Sequence, residues 1–342
     1  MKTDEWAVVG AGPAGIAAVG KLLDQGVAQQ DIIWIDPTFT VGDFGSIWRN
    51  VPSNTKVDLF LKFLYASEAF AYAACDVDFP INQAPRDKTC HLHLMASPLQ
   101  WVTEKLKSRV QVIQDRANRL TPNNGAWQIQ LSNALVQAKN VILAIGAEPK
   151  TLPLSKPIIP LQDAMDSQRL LNHIHPNQTI ALFGSSHSAI LALRNLVGTN
   201  IKQIINFYRS PLLYAIYYPD YILYDDTGLK GTTAEWAREN LEGVLPDHLL
   251  RVQSNEENIK RYLSACDKVI YAVGFERRQL HVDGINHFNE IDQNGMIAPG
   301  LFGLGIAFPE PKYNPLGMLE YRVGLWKFMD YLQRVLPIWL KG

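Results

Sequence analysis

The chain has 342 residues, more than one hydrophobic core ordinarily serves, so two domains are expected, each able to bury a sizeable interior. Its 32 basic and 33 acidic residues balance, which removes the bulk charge that draws nucleic acid or an anionic membrane and leaves small molecules as the expected partners. Three cysteines, Cys75, Cys90 and Cys266, none at CxxC spacing, suggest neither a disulfide framework nor a zinc site and fit a reducing cytoplasm. No apolar run approaches the roughly 20 residues of a membrane span.

In chain order, the apolar strand Trp6-Ala7-Val8-Val9 runs into Gly10-Ala11-Gly12-Pro13-Ala14-Gly15 and then into a helical run from Ile16 to Leu23. In such a strand, glycine turn and helix, Gly10 permits the tight turn, Gly12 lets backbone approach a pyrophosphate, and Gly15 lets the helix pack closely on the strand. The positive helix N-terminus then faces the phosphates. A second strand, Ile32-Ile33-Trp34-Ile35, ends at Asp36, near the spacing of about 20 residues expected for the acid that takes a ribose hydroxyl. A secretory leader over Ala7 to Ala18 is a competing reading. It fails on its flanks, because Asp4 and Glu5 stand where a leader is basic and Pro13 with three glycines breaks the apolar segment.

After Asp36 comes an irregular loop rich in glycine and aromatics, Gly42 to Arg49, followed by Val51 to Lys56; the aromatics between Leu59 and Cys75 are read as core. Ser97 as N-cap and Pro98 at the first helical position predict a helix to Lys107. Short strands follow at Val110 to Ile113, Ala117 to Leu120 and Trp127 to Leu131, the last after a turn at Asn123-Asn124-Gly125. Asn140 to Ala147 reads as a strand buried in a parallel sheet.

A proline-rich connector from Pro149 to Pro160 marks a boundary, and beyond it the pattern repeats. Thr179 to Phe183 is a strand, Gly184-Ser185-Ser186-His187-Ser188-Ala189 a turn, Ile190 to Val197 a helix, and Gln203 to Tyr208 a second strand leading into Arg209-Ser210. Pro211 to Leu263 holds an aromatic loop, Tyr214 to Tyr224, and a helix expected to open on a capping box of Thr232 and Glu235. Lys268 to Phe275 is another apolar strand, and the chain returns through Gly300 to Ala307 to a last helix over Pro315 to Leu336. The apolar Val335 to Leu340 docks on the body or on a second subunit, so a homodimer is among the expectations. His91 and His93 alternate at strand spacing and share a face, as two metal ligands must, yet no further ligand cluster is evident and no metal is expected.

Two glycine-rich units, closing with Ala144-Ile145-Gly146 and Ala272-Val273-Gly274, and a C-terminal Leu301-Phe302-Gly303-Leu304-Gly305-Ile306-Ala307 segment resemble the two-dinucleotide-binding-domain flavoproteins. That superfamily includes the pyridine nucleotide-disulfide oxidoreductases and the flavin-containing monooxygenases. The resemblance implies an α/β fold of two Rossmann-like three-layer domains, the second inserted in the first, with a small antiparallel β-meander. It implies FAD on residues 1–149 with 276–342, and the nicotinamide cofactor on 150–275. FAD is then expected on Gly10, Gly12, Pro13, Ala14, Gly15, Asp36 and Pro37, on Gly45 and Trp48 of a loop beside the flavin ring, on Val112 and Gly146, and on backbone near Gly305 and Ile306. Asn54 is the polar group expected beside the ring, in a catalytic role.

The nicotinamide cofactor is expected on Gly184, Ser185, Ser186, His187, Ser188, Arg209 and Ser210. Arg209 stands at the place equivalent to Asp36, where a guanidinium suits the 2′-phosphate of NADPH. The implied activity is that of an FAD-dependent, NADPH-using oxidoreductase of monooxygenase type, which hands electrons to dioxygen or to a small-molecule substrate. The disulfide branch is disfavoured, since no local thiol pair exists. Ser186 replaces the middle glycine of the second motif, and the Phe, Gly and His fingerprint that precedes it in monooxygenases is missing. A flavin-binding redox sensor with a degenerate nicotinamide site, and a reductase of another acceptor, therefore stand as alternatives.

Overall fold

Around the first glycine turn the chain folds as its apolar pattern dictates. Thr3–Val9 (β1) leads into the helix Pro13–Asp24 (α1), and Ile32–Ile35 (β2) lies parallel to β1, with Val8 opposite Trp34 and Val9 opposite Ile35. The computed structural model describes residues 3–285, 288 and 294–341. It divides into two units: Met1–Ala147 with Arg277–Lys312 and Tyr321–Gly342, and Glu148–Glu276 with Tyr313–Glu320.

The first unit continues through Gly42–Ser46 (α2), Pro52–Lys56 (β3), Val57–Tyr65 (α3), Thr89–His91 (β4), His93–Lys107 (α4), Gln111–Ile113 (β5), Ala117–Asn123 (β6), Ala126–Leu131 (β7) and Leu135–Leu143 (β8). Ala147–Pro149 (β9) carries the chain out. The second unit then runs Leu161–Ala164 (α5), Ser167–Leu170 (α6), Thr179–Phe183 (β10), His187–Val197 (α7), Gln203–Tyr208 (β11), Ile216–Tyr217 (β12), Ile222–Leu223 (β13), Gly231–Leu241 (α8), Leu249–Gln253 (β14), Glu256–Tyr262 (α9) and Lys268–Tyr271 (β15). Phe275–Arg277 (β16) brings it back, and His281–Val282 (β17), Met296–Ala298 (β18), Leu301–Gly303 (β19), Glu310–Tyr313 (β20), Leu319–Arg322 (β21) and Leu325–Trp339 (α10) complete the chain.

In the first unit β8 is the strand on which the sheet branches. One edge runs parallel to β1, and the other is antiparallel to β7 over Leu135 to Ala138 and then parallel to β19 over Val141 to Leu143. Beyond β1 lie β2 and β5, both parallel; beyond β7 lies β6, completing an antiparallel meander. Asn124 and Gly125, both at positive φ (48° and 77°), close the β6–β7 hairpin in the left-handed geometry that matches strand twist. The second unit is a four-stranded parallel sheet in the order β14-β11-β10-β15.

Helix α1 is apolar nearly all round and accordingly buried nearly all round, packed by α4, α10 and the turn Glu68–Phe70. Its Ala and Gly residues make that approach possible: a Cβ on Gly20 would lie 2.3 Å from Phe70 Cε1 and 2.8 Å from Ser67 Oγ. Phe60, Phe63, Phe70 and Tyr72 are buried in the same cluster, so four of the five aromatics after Leu59 are core, as read; Tyr65 is the exception, exposed at the end of α3. Val335, Leu336 and Trp339 join it, which docks the apolar C-terminal helix on its own unit. Among the described residues no helix is long and apolar enough to cross a membrane.

Three boundaries differ from the sequence reading. Helix α4 starts at His93 and carries Pro98 inside it; Ser97 is no N-cap but returns its hydroxyl to the His93 carbonyl at 3.2 Å. Helix α8 starts at Gly231 with Lys230 at the N-cap and no side-chain cap bond, so Thr232 lies two residues too far in to cap it. The last helix starts only at Leu325. Residues from Glu310 to Arg322 form a hairpin instead, whose turn is fixed by Asn314 Oδ1, accepting from the Leu316 and Met318 amides, and by Gly317 at φ +75°.

Gly20→Val should destabilise the folded chain by about 1–3 kcal/mol, because the new methyls overlap a ring packed on two sides. Urea midpoints of variant and wild type, at equal slope, measure it; an unchanged midpoint would show that Phe70 has room to move.

Candidate functional site

The first glycine turn is held by backbone contacts that only glycine permits. Gly10 has φ +110°, and a Cβ there would lie 2.3 Å from the Ala144 oxygen; a Cβ on Gly15 would lie 1.9 Å from the oxygen of Gly10. Gly12 differs. Its backbone is extended, and a Cβ would meet only the Val41 oxygen, at 3.9 Å. Gly10 and Gly15 thus serve the fold, while Gly12 leaves open room before the N-terminus of α1, where the first helical N–H groups have no intrahelical acceptor.

Two side chains, one on β2 and one directly after it, fix the turn. Trp34, fully buried, donates its indole N–H to the Gly10 carbonyl at 2.9 Å. Asp36 is 7% exposed, and one carboxylate oxygen accepts the Ala11 amide at 2.7 Å while the other accepts the amides of Thr38 (2.8 Å) and Phe39 (2.7 Å). In this structure its lone pairs tie the glycine turn to the loop after β2. That loop is strained: Phe39 (φ 52°) and the β-branched Val41 (φ 62°) are both left-handed. Gly42 follows, and a Cβ on it would lie 3.0 Å from Gly12 Cα.

The remaining residues expected in the first site come from several parts of the sequence. A Cβ on Gly305 (φ +87°) would lie 2.6 Å from Ala14 Cβ, so the C-terminal segment arrives at the start of α1, with the half-buried Ile306 next in the chain. Gly45 packs α2 on the strained loop, since its Cβ would lie 2.3 Å from the Thr40 oxygen, and the Trp48 amide donates to the Asp43 carbonyl where α2 ends. Asp43 pairs with Arg278 at 2.7 Å, and Nη1 of Arg278 is the nearest atom, at 3.7 Å, to a Cβ built on Gly146. Pro37 is exposed directly after Asp36, and Val112 stands on β5 opposite Trp34. Asn54 is exposed on β3; its side-chain oxygen accepts the Thr55 hydroxyl at 3.2 Å, and no contact ties it to the glycine turn. Sequence reasoning missed Trp34, Val41 and the Asp43–Arg278 pair. Positive φ at valine has no sequence signal, nor has a pair 235 residues apart.

The second turn repeats the frame of the first, residue for residue. Gly184 donates its amide to Phe207 at 2.9 Å as Gly10 does to Ile35 at 2.8 Å, and a Cβ on Gly184 (φ +129°) would lie 2.3 Å from the Ala272 oxygen. Asn206 takes the place of Trp34: its Nδ2 donates to the carbonyls of Leu182 (3.1 Å) and Gly184 (2.8 Å), and its Oδ1 accepts from Arg251 Nε at 3.0 Å. The same register corrects one expectation. Tyr208, not Arg209, is equivalent to Asp36, because β11 runs one residue further than β2 before the chain turns; Arg209 is exposed one position beyond. Ser185 donates its hydroxyl to the Ser210 carbonyl at 3.0 Å, closing this turn on the loop after its second strand.

Ser186 stands in the place of Gly12 with the same extended backbone, exposed, and caps nothing with its side chain. His187 stands in the place of Pro13 at the first position of α7. Its two ring nitrogens are buried without a partner, and burial, then the Lys230 ammonium, push its pKa down to about 4. Ser188 follows it on the helix and Ala189 is buried against Gly184, so the third motif position tolerates a methyl.

No family model matches the chain. A curated protein of Paecilomyces divaricatus, the monooxygenase AgnR1, is 35% identical over 385 aligned positions that cover 97% of each chain. The chain belongs to this monooxygenase family. Among solved structures, the flavin-containing monooxygenase of Stenotrophomonas maltophilia (TM-score 0.63, 15% identity) and the bacillithiol disulfide reductase Bdr of Staphylococcus aureus (0.64, 15%) each cover 100% of this chain and 99% of their own. The ornithine N-hydroxylase of Kutzneria sp. 744 (0.65, 12%) covers 99% of both. At these identities the likeness is one of fold: an α/β arrangement of two units, the second inserted in the first.

The side chains outside the two turns offer a member of this family little independent chemistry. All three cysteines are free; burial pushes the Cys90 thiol up and the Cys266 thiol to about 11, which keeps both protonated and unreactive near neutrality. The rings of His91 and His93 lie 5.8 Å apart, but across a strand end and a helix start rather than on one strand face. Burial, then His91 and Arg49, push His93 down. Among the described residues no group of three His, Cys, Asp or Glu could hold a metal ion.

Asp36→Ala should lower stability by about 1–3 kcal/mol or more, since it strands three backbone N–H groups that now share one carboxylate. Denaturant titration of the apoprotein reads this directly; no change would mean that the turn holds without its acid.

Proposed function

We propose that the protein is an FAD-dependent, NADPH-using monooxygenase, with FAD on the first unit and NADPH on the second. The observation that carries the reading is the first turn. Gly10 and Gly15 are compressed against backbone, while a Cβ on Gly12 would meet only the Val41 oxygen, at 3.9 Å, which leaves room beside the helix N-terminus for the diphosphate of a dinucleotide. The second turn shares this frame, which supports a second dinucleotide there.

Bound together, FAD and NADPH supply the redox chemistry, two electrons passing from nicotinamide to flavin and on to dioxygen with a small-molecule substrate. The chain's own part is binding, orientation and exclusion of water. The amides at the start of α1 take phosphate oxygens, Gly305 and Ile306 offer backbone groups beside them, and the strained Phe39–Gly42 loop covers Gly12. Gly45, Trp48 and Gly146 are further residues assigned to the FAD of this unit, and Asn54 is the candidate polar group beside the reacting ring. Gly184 to Ser188 take the second diphosphate, and Arg209 with Ser210, exposed just past the end of β11, take the 2′-phosphate. Membership of a monooxygenase family supports dioxygen as the acceptor. The three free thiols support work in a reducing cytoplasm.

Purified protein should be yellow with oxidised flavin and bleach anaerobically on adding NADPH. Gly12→Val should fold, because its new side chain meets little protein, yet come out colourless because that side chain fills the diphosphate's room. Wild type that shows no flavin absorbance after reconstitution with FAD would overturn the reading.

Replacing Cys75, Cys90 and Cys266 together with Ser should leave NADPH-dependent flavin reduction largely intact. Loss of reduction in a folded, yellow triple variant would revive thiol chemistry of the disulfide-reductase kind.

A further inference from the structure

In the second turn two polar side chains, Ser186 and His187, stand where the first has Gly12 and Pro13, which have none. The imidazole is the more informative. Neutral imidazole carries one donor and one acceptor, and here neither nitrogen is reached by solvent or by any partner. It opens an 11-residue helix whose N-cap Ser186 supplies no side-chain bond, so the first N–H groups of α7 lack an acceptor as well. A single group rich in acceptors would satisfy both sets.

The charged groups around His187 are few. Lys230, 9% exposed at the N-cap of α8, is the cation that acts on it, and the ammonium is held by Asp225. Helix α7 brings no ionisable side chain of its own before Arg194. Helices α5 and α6 pack toward its C-terminal half, where Asn195 donates to Ala164; their Arg169 lies 3.7 Å from both Asp163 and Asp166. At the end of β11 stands Arg209. Among the described residues, burial and the Lys230 ammonium are what hold the imidazole neutral.

We infer that His187 receives a phosphate of NADPH as imidazolium, so that binding the dinucleotide takes up a proton at this residue. The inference rests on the nicotinamide reading above, and it gives the Ser186 and His187 substitutions a use: side-chain donors replace the close backbone approach that glycine allows. The free protein holds His187 neutral at pH 7, by burial and by Lys230. An anion against the ring favours the charged form. Since the complex then holds more protons than the free protein, affinity rises as pH falls, by up to about tenfold per pH unit while the pH lies between the free and bound pKa values.

The test is isothermal titration of the FAD-loaded protein with NADP⁺ between pH 7 and 8.5, where the 2′-phosphate stays ionised, in Hepes and in Tris, whose ionisation heats differ. Wild type should show proton uptake and binding that tightens toward pH 7, while His187→Gln should bind about tenfold more weakly with neither uptake nor pH dependence. The imidazole C2–H resonance of His187 should titrate below pH 5 in free protein and above pH 7 with NADP⁺ bound, a readout that stands if His187→Gln does not fold. Wild type that binds NADP⁺ without proton uptake, or His187→Gln that keeps the uptake, overturns the proposal and leaves the nicotinamide reading standing. No NADP⁺ binding by wild type overturns both.

Discussion

The contact on which the first unit depends is the approach of α1 to β1 at Gly15 and Gly10. A methyl at Gly15 would sit 1.9 Å from a carbonyl oxygen, far inside van der Waals contact, so helix and strand are closer here than any side chain allows. This closeness aims the free N–H groups of α1 past the end of the strand instead of into solvent at large. The polar clamps beneath it, the Trp34 indole on the Gly10 carbonyl and the Asp36 carboxylate on the Ala11 amide, satisfy backbone groups that the tight turn would otherwise bury unpaired.

The two units solve this problem with the same backbone and different side chains. Trp34 in one and Asn206 in the other donate to the carbonyl of the leading glycine from the same register position, one through a large buried ring and the other through an amide steadied by Arg251. The indole adds the burial of a whole Trp, about 4–6 kcal/mol for 150–250 Å² of surface, whereas the amide adds a hydrogen-bonded network that holds only while every member is satisfied. Asp36 has no acidic counterpart, and Tyr208 occupies its place. The frame of a dinucleotide turn is therefore general, and what varies is which groups are left over to meet a ligand.

Strain gathers beside the first turn. Phe39 and Val41 adopt backbone conformations that cost of order 1–3 kcal/mol each, and they do so where the loop crosses in front of Gly12. The loop is held in place by the Asp36 carboxylate at one end and by α2 at the other, whose Asp43 is fixed by Arg278. Such a loop is a defined wall, with its shape set by the fold before any ligand arrives.

Much of this was legible in the sequence, and the limit has a physical cause. Apolar period and glycine spacing determined both βαβ frames, and the acid after the second strand marked the first of them, because each is a local rule: the chain must turn at Gly10 and Gly184 whatever surrounds it. The Asn124-Gly125 hairpin is legible for the same reason. What the tertiary structure alone decided are matters of register and of distant partners. β11 extends one residue beyond β2, and so puts Tyr208 rather than Arg209 at the acid's place; Pro98 is tolerated within α4; and the hairpin before α10 takes the place of a helix expected from Pro315. Asp43 with Arg278, Gly305 against Ala14 and the unpartnered ring of His187 depend on contacts between residues far apart in the chain or on burial, and neither is encoded in the spacing of neighbours.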